Sequence, residues 1–269
     1  MRSRDRRAIH RSSNHPVVFG ALYSVYVRAV RLALEEKGVQ YELVPIDIFA
    51  PGGAPLEHKV RHPFGKIPAF EHAEFSLYEA GAITRYVDEA FPGPRLQPDD
   101  SRGRARMNQI IGILDSYAYR TLVWDIYVER ISRPASGGSS DEQRISAALP
   151  KAEVCLAALS KLIDVSPWLA GPAISLADLH AAPMFALFRL APEGSRLLTE
   201  QSELGKWWDR VSRGKVSCAL RCRRAISRMR PEQSEPRRDR SVPGRVTPCA
   251  MPTRREILHG HGLLDFEGS

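Results

Sequence analysis

The spacing of apolar residues changes along the chain, and the changes divide it. Val17-Val18-Phe19-Gly20 is a short continuous apolar run and predicts a buried strand. From Ser24 to Lys37 the spacing turns helical. Val27, Val30, Ala33 and Leu34 fall on one face, Arg28, Arg31 and Glu35 on the other, and Gly38 closes the segment. Tyr41 to Ile48 predicts a second strand, and Ala50-Pro51-Gly52-Gly53-Ala54-Pro55 a loop. A short helical turn precedes His62. Pro68-Ala69-Phe70-Glu71 and Phe75-Ser76-Leu77-Tyr78 predict two strands, followed by a helix from Glu79 to Ala90. A crossover helix between the first two strands requires that they pair in parallel, and the short link between the last two makes them antiparallel.

Phe91-Pro92-Gly93-Pro94-Arg95-Leu96-Gln97-Pro98 cannot continue a helix and reads as a linker, so the first unit spans residues 16–93 and the link runs through 94–100. Residues 101–215 are helical in pattern. A long helix is expected from Arg102 to Arg130, carrying Tyr117, Tyr119, Trp124 and Tyr127. Ser136-Gly137-Gly138-Ser139-Ser140 separates it from a second helix, Asp141 to Ile163. Ser175-Leu176-Ala177-Asp178 opens a third, with Ser175 and Asp178 placed as an acidic capping box. That helix, to Leu190, is apolar nearly all round and is expected to be buried. A shorter helix holds Trp207 and Trp208. After Val216 no period persists, and residues 216–269 read as a disordered basic tail.

Charge changes the picture in one respect. The formal net charge of +8 invites a nucleic-acid partner, but it sits in the ends. Residues 1–15 carry +4 and residues 213–269 carry +7, leaving −3 on the body between them. No nucleic acid is therefore expected as a partner. The Arg-rich residues 1–15 have no apolar segment of the secretory kind and read as an extension. No apolar run approaches the ~18 residues of a membrane span, so no membrane partner is expected either. Cys155, Cys218, Cys222 and Cys249 form no disulfide framework. Cys218 and Cys222 with His259 and His261 match no zinc spacing, so no metal is expected and a cytoplasmic setting is the default.

The ordered pieces from Val17 to Val211 resemble the glutathione transferases. Phe19 to Gly38, with Ser24 followed by Arg28, is similar to the first strand, active-site turn and first helix of the serine-type classes, phi, theta and related bacterial and fungal enzymes. His62-Pro63-Phe64-Gly65-Lys66-Ile67-Pro68-Ala69-Phe70 resembles the loop that presents a backbone edge beside a cis proline. Leu77-Tyr78-Glu79-Ala80-Gly81-Ala82-Ile83 resembles the turn that binds the γ-glutamyl end, and Ser175 to Leu179 the helix cap of the second domain. Three features depart from the pattern: Ala80 replaces a hydroxyl residue, His62 stands where Asn is usual, and the Ala50–Pro55 loop lacks the His–Lys pair of phi-type enzymes. The resemblance implies a thioredoxin-like α/β domain followed by an all-α domain. It further implies a transferase that takes glutathione as co-substrate without a cofactor, a small apolar electrophile as second substrate, a role in detoxification and a homodimer. A non-catalytic binding or regulatory protein on the same scaffold, or a glutathione-dependent peroxidase, isomerase or dehalogenase, are the alternatives.

Conjugation requires the thiolate. Lowering a thiol pKa from about 8.5 by two units takes about 2.7 kcal/mol of selective stabilisation. A hydrogen bond from Ser24 to the charged sulfur is worth about 1.5–3 kcal/mol, and the start of a helix adds about 0.3–1. Ser24 fits either this role or that of a plain helix cap, with Tyr23 and Tyr26 as rival hydroxyls. Glu79 fits an ammonium contact or a first-turn acid, with the Ala80 N–H beside it for a carboxylate. Lys66 fits a carboxylate contact or a solvated loop residue, and Ile67 offers backbone only. Pro68, Ser175 and Asp178 are structural. Tyr119 is a candidate for the electrophile pocket, Trp124 and Tyr127 for core or interdomain packing, and Phe64 for a partner subunit or internal packing.

Overall fold

The computed structural model describes residues 15–163 and 165–214. The basic N-terminal extension to residue 14, the tail from Val216, and Cys218, Cys222, His259 and His261 lie outside the described residues.

The first domain runs β1 (Val17–Phe19), α1 (Val25–Glu36), β2 (Glu42–Val44), α2 (Leu56–Arg61), β3 (Ala69–His72), β4 (Phe75–Tyr78) and α3 (Ala80–Ala90). Its four strands lie in the order β2-β1-β3-β4. β1 pairs with β2 in parallel, Val18 opposite Leu43, and with β3 antiparallel, Val18 opposite Phe70. β3 and β4 form the expected antiparallel pair. β2 is shorter than its apolar run implied, stopping at Val44. α1 packs tightly on the strand end: a Cβ added to Gly20 would lie 2.4 Å from a Val27 methyl, so only glycine fits there. One residue of α1 departs from its expected face. Arg28 is buried, and its Nε–H donates to the Leu22 carbonyl at 2.7 Å in the turn before the helix.

The second domain is helical throughout. α4 (Ser101–Ile113) is capped by Asp100, which accepts from the Arg102 and Gly103 N–H groups. It continues without a break as a π-wound segment (Leu114–Ser132) and a final α turn, α5 (Arg133–Ala135). The long helix was expected, but not its π winding, nor its extension to Ala135. α6 (Glu142–Ile163), the buried α7 (Leu176–Phe188), α8 (Pro192–Glu200) and α9 (Ser202–Arg213) complete it. α8 has no counterpart in the sequence expectation. Its Gly194 is a packing requirement, since a Cβ there would come within 2.1 Å of the Phe188 carbonyl oxygen.

Buried polar ties hold the linker. Lys37 Nζ, at the end of α1, donates to Asp88 Oδ1 (3.1 Å), the Asp88 carbonyl (2.9 Å) and the Pro94 carbonyl (3.1 Å). Asp88 Oδ1 also accepts from the Leu96 N–H at 2.8 Å, and the Leu96 carbonyl accepts from the Leu176 N–H at 2.9 Å. The chain between the domains is thus fixed to α1, α3 and α7 together. A second buried centre is Asp178, 1% exposed. Its Oδ1 accepts from the Leu169 N–H and Trp207 Nε1, and its Oδ2 from the Ser175 N–H and hydroxyl, all at 2.8 Å. Ser175 and Asp178 are thereby joined at the start of α7, and Asp178 also ties α7 to α9.

Candidate active site

Ser24 is the N-cap of α1, with extended backbone angles (φ −72°, ψ 126°). Its Oγ accepts a long bond, 3.4 Å, from the Val27 N–H. Accepting leaves the hydroxyl hydrogen for another partner. The two neighbouring phenols are differently placed. Tyr23 donates to Asp47 Oδ1 at 3.4 Å, and burial together with the Asp47 charge pushes its pKa up to about 12. Tyr26 is half-buried and bonded to Asp115; burial and the Asp115 charge push it far above the ordinary phenol value.

Glu79 follows the last residue of β4 and is the N-cap of α3. Its backbone has φ 70° and ψ 115°, a region that non-glycine residues rarely adopt. The side chain is exposed and makes no capping bond. Ala80 is buried behind it at the helix start, where the first N–H groups have no helical acceptor. The Ile67–Pro68 peptide is cis, Ile67 and Pro68 are buried, and Lys66 is exposed. His58 reaches under this loop, its Nε2 donating to the Lys66 carbonyl oxygen at 2.6 Å.

The two domains meet over these residues in a row of rings. On the π-wound segment, Asp115, Tyr119 and Trp124 are four and five positions apart, a spacing that π winding keeps on one face. Tyr119 lies 4.7 Å from the Tyr26 ring and is bonded to Trp124, and Trp124 stands edge-on to Phe49 at 6.2 Å. Phe49 packs 5.5 Å from Tyr23. The row therefore brackets the stretch that contains Ser24, with Asp115 at one end and Phe49 at the other.

The family models for the glutathione S-transferase N-terminal domain and C-terminal domain match residues 18–95 and 117–214. A protein of Oryza sativa subsp. japonica named "Probable glutathione S-transferase GSTF1" is 30% identical over 197 residues, 72% of this chain and 90% of that protein. This chain belongs to the glutathione S-transferase family. Glutathione S-transferase F14 of Arabidopsis thaliana is 33% identical over 180 residues, 65% of this chain and 67% of its own length. Among solved structures, glutathione transferase F7 from Populus trichocarpa superposes with a TM-score of 0.68 at 26% identity, covering 76% of this chain and 97% of the poplar protein. Human glutathione S-transferase T1-1 in its apo form shares the fold, with a TM-score of 0.69 at 24% identity over 79% of this chain and 89% of that one.

In this transferase fold the expected site residues fall into two groups. Ser24 and the aromatic row line one side of the interdomain surface, with Trp124 spanning the domains rather than lying in a core, and Tyr127 buried. Lys66, Ile67, Glu79 and Ala80 belong to the loop and helix start of the first domain. Phe64 is 70% exposed, although its ring edge also meets His62 and Tyr78. Phe49, Asp115 and His180 carry no signal at sequence level. His180 Nε2 donates to Asp115 Oδ1 at 2.7 Å across 65 positions. Among the described residues no group of three or more His, Cys, Asp or Glu is placed to hold a metal, and no helix is long and apolar enough to cross a membrane.

Proposed function

We propose that the protein conjugates the thiolate of glutathione to small apolar electrophiles, with Ser24 as the group that stabilises the thiolate. The observation that carries this is the difference among three adjacent hydroxyls. Tyr23 and Tyr26 spend their hydrogens on Asp47 and Asp115, whereas the Ser24 hydroxyl only accepts, and weakly. In the reaction the sulfur attacks the electrophilic carbon, the S–C bond forms as the bond to the leaving group breaks, and the Ser24 hydrogen bond weakens as the sulfur loses charge. The start of α1 adds its dipole at the same point. Glu79 takes the γ-glutamyl ammonium and the α3 N-terminal amides at Ala80 its carboxylate. Lys66 meets the glycyl carboxylate, and the Ile67 backbone lies along the peptide. Tyr119, Trp124 and Phe49 form an aromatic wall for the electrophile.

The active form in this reading is a homodimer in the cytoplasm with a detoxifying role. Phe64 anchors the dimer, since a phenyl ring exposed to this degree on a loop gains most by insertion into a partner. Phe64→Ala should weaken association by about 2 kcal/mol or more. Sedimentation at micromolar concentration checks this, and a wild-type monomer would remove the dimer. Retention on immobilised glutathione followed by turnover of a panel of electrophiles tests the activity. Retention without turnover would instead favour a binding protein, the reading to which Ala80, with its missing hydroxyl, lends weight.

A further inference from the structure

Behind the loop that carries Lys66 and Ile67 lie two histidines, His58 on α2 and His62 at its end, 1% and 2% exposed. Their rings are 6.3 Å apart. Each has a buried Nδ1 with no hydrogen-bond partner, an arrangement that costs desolvation free energy. His62 lies 4.9 Å from the Tyr78 ring and 6.1 Å from Phe64, so it fills the space between the loop and the end of β4. Tyr78 is followed directly by Glu79, whose carboxylate is within electrostatic reach of the His62 ring.

We infer that His62 sets how much of the Glu79 charge is available to the ligand's ammonium, and that glutathione affinity is therefore lost on mild acidification. A neutral imidazole leaves the exposed Glu79 carboxylate facing outward. A protonated one is a cation on the inner side of the same carboxylate and competes with the incoming ammonium for it. The proton enters a ring enclosed by Tyr78 and Phe64 beside His58, and burial there disfavours the charged form. The charged and titratable groups facing His62 are Glu79 from the start of α3, His58 from α2 and Lys66 from the loop. Burial lowers the His62 pKa, His58 and Lys66 lower it further, and Glu79 opposes them. The ring is accordingly neutral near pH 7. The sign follows: affinity is full above the usual histidine range and falls as pH drops through the depressed value. His62 is thus a positioning residue that acts through Glu79, and the inference rests on the reading of Glu79 as the ammonium contact.

Calorimetric titration of the full chain with reduced glutathione, at constant ionic strength between pH 7.0 and 5.0, tests it. In this range the ligand's carboxylates, amine and thiol keep nearly constant charge. Wild type should weaken about fivefold through a single-proton step, the scale of a partly exposed charge contact. His62→Asn should bind with no such step. His58→Gln, which keeps a donor for the Lys66 carbonyl but removes the neighbouring imidazole that lowers the His62 pKa, should move the step to higher pH. Glu79→Gln should bind weakly throughout and show no step. A flat wild-type profile, or a step that survives in His62→Asn, overturns the inference. Should His62→Asn fail to fold, an unmoved step in His58→Gln overturns it equally. Full affinity of Glu79→Gln at pH 7.0 would instead overturn the underlying assignment of Glu79, a result the His62 variants cannot produce.

Discussion

Three helices of this protein begin with the same chemistry, a serine or an acid at the first turn, and put it to opposite uses. At the start of α7 the Ser175 hydroxyl donates at 2.8 Å to Asp178, whose carboxylate is fully enclosed and receives four donors. Burial pushes the Asp178 carboxyl upward in pKa, and the four donors work against that push. At the starts of α1 and α3, Ser24 accepts one long bond, and Glu79 stands exposed in a rarely adopted backbone conformation with no capping bond. Saturated polar groups secure a scaffold, because leaving any of them unpaired costs the full desolvation penalty. Unsaturated and strained ones have bonding capacity left for a ligand.

The contrast breaks most sharply at Asp178. Asp178→Asn replaces one carboxylate oxygen with an NH2 group that faces the Ser175 N–H and hydroxyl, and should lower stability by about 3–5 kcal/mol, at about 1–3 for each buried donor left unsatisfied. That corresponds to at least about 6 °C in Tm for a chain of this size, measurable by calorimetry. An Asn variant as stable as wild type would mean that the enclosed acid is replaceable and the scaffold lies elsewhere.

Ser24→Ala should cut turnover about 10- to 100-fold, from the loss of about 1.5–3 kcal/mol to the thiolate, with glutathione affinity nearly unchanged. The bound thiol rises in pKa by about one to two units, so the pH–rate profile moves alkaline and activity partly returns at high pH. Ser175→Ala is the matched control: it should cost about 0.5–2 kcal/mol of stability and leave the profile in place. If the two serine variants behave alike, Ser24 is a cap and nothing more.

The smallest effect is also the most pointed. Glu79→Gly relieves the positive φ and should raise stability by about 1 kcal/mol, while glutathione binding is lost. Chemical denaturation and a binding titration on the same preparation check both halves. A variant that loses stability would show that the backbone at 79 is not strained.

Much of the first domain was legible because its signals are local. Gly38, the prolines of 51–55 and the two apolar runs of the hairpin mark boundaries whatever surrounds them, and Ser24 and Glu79 lie at boundaries of this kind. What escaped depends on partners far along the chain. α8 drew no expectation, since Pro192 and Gly194 are poor helix signals, yet the glycine is what lets α8 approach the Phe188 carbonyl. Arg28 sits on what reads as a polar face and is buried, with its Nε–H donating to the Leu22 carbonyl. His180 and Asp115 are 65 positions apart, and no periodicity links them. Candidate residues were legible where they coincide with helix starts and escaped where they are brought together by contact.

The π winding of residues 114–132 makes the aromatic row a matter of phase. In an α-helix each residue turns the chain by about 100°, so the face shown by Asp115 would pass through different side chains beyond Tyr119. Only the wider winding brings Trp124 into line with them. Losing or gaining one residue in this stretch would rotate every later side chain around the axis without changing any of their identities. A change of one residue in length there would turn Trp124 out of the row in a single step, while Tyr23, Tyr26 and Phe49, which lie outside this helix, would keep their places.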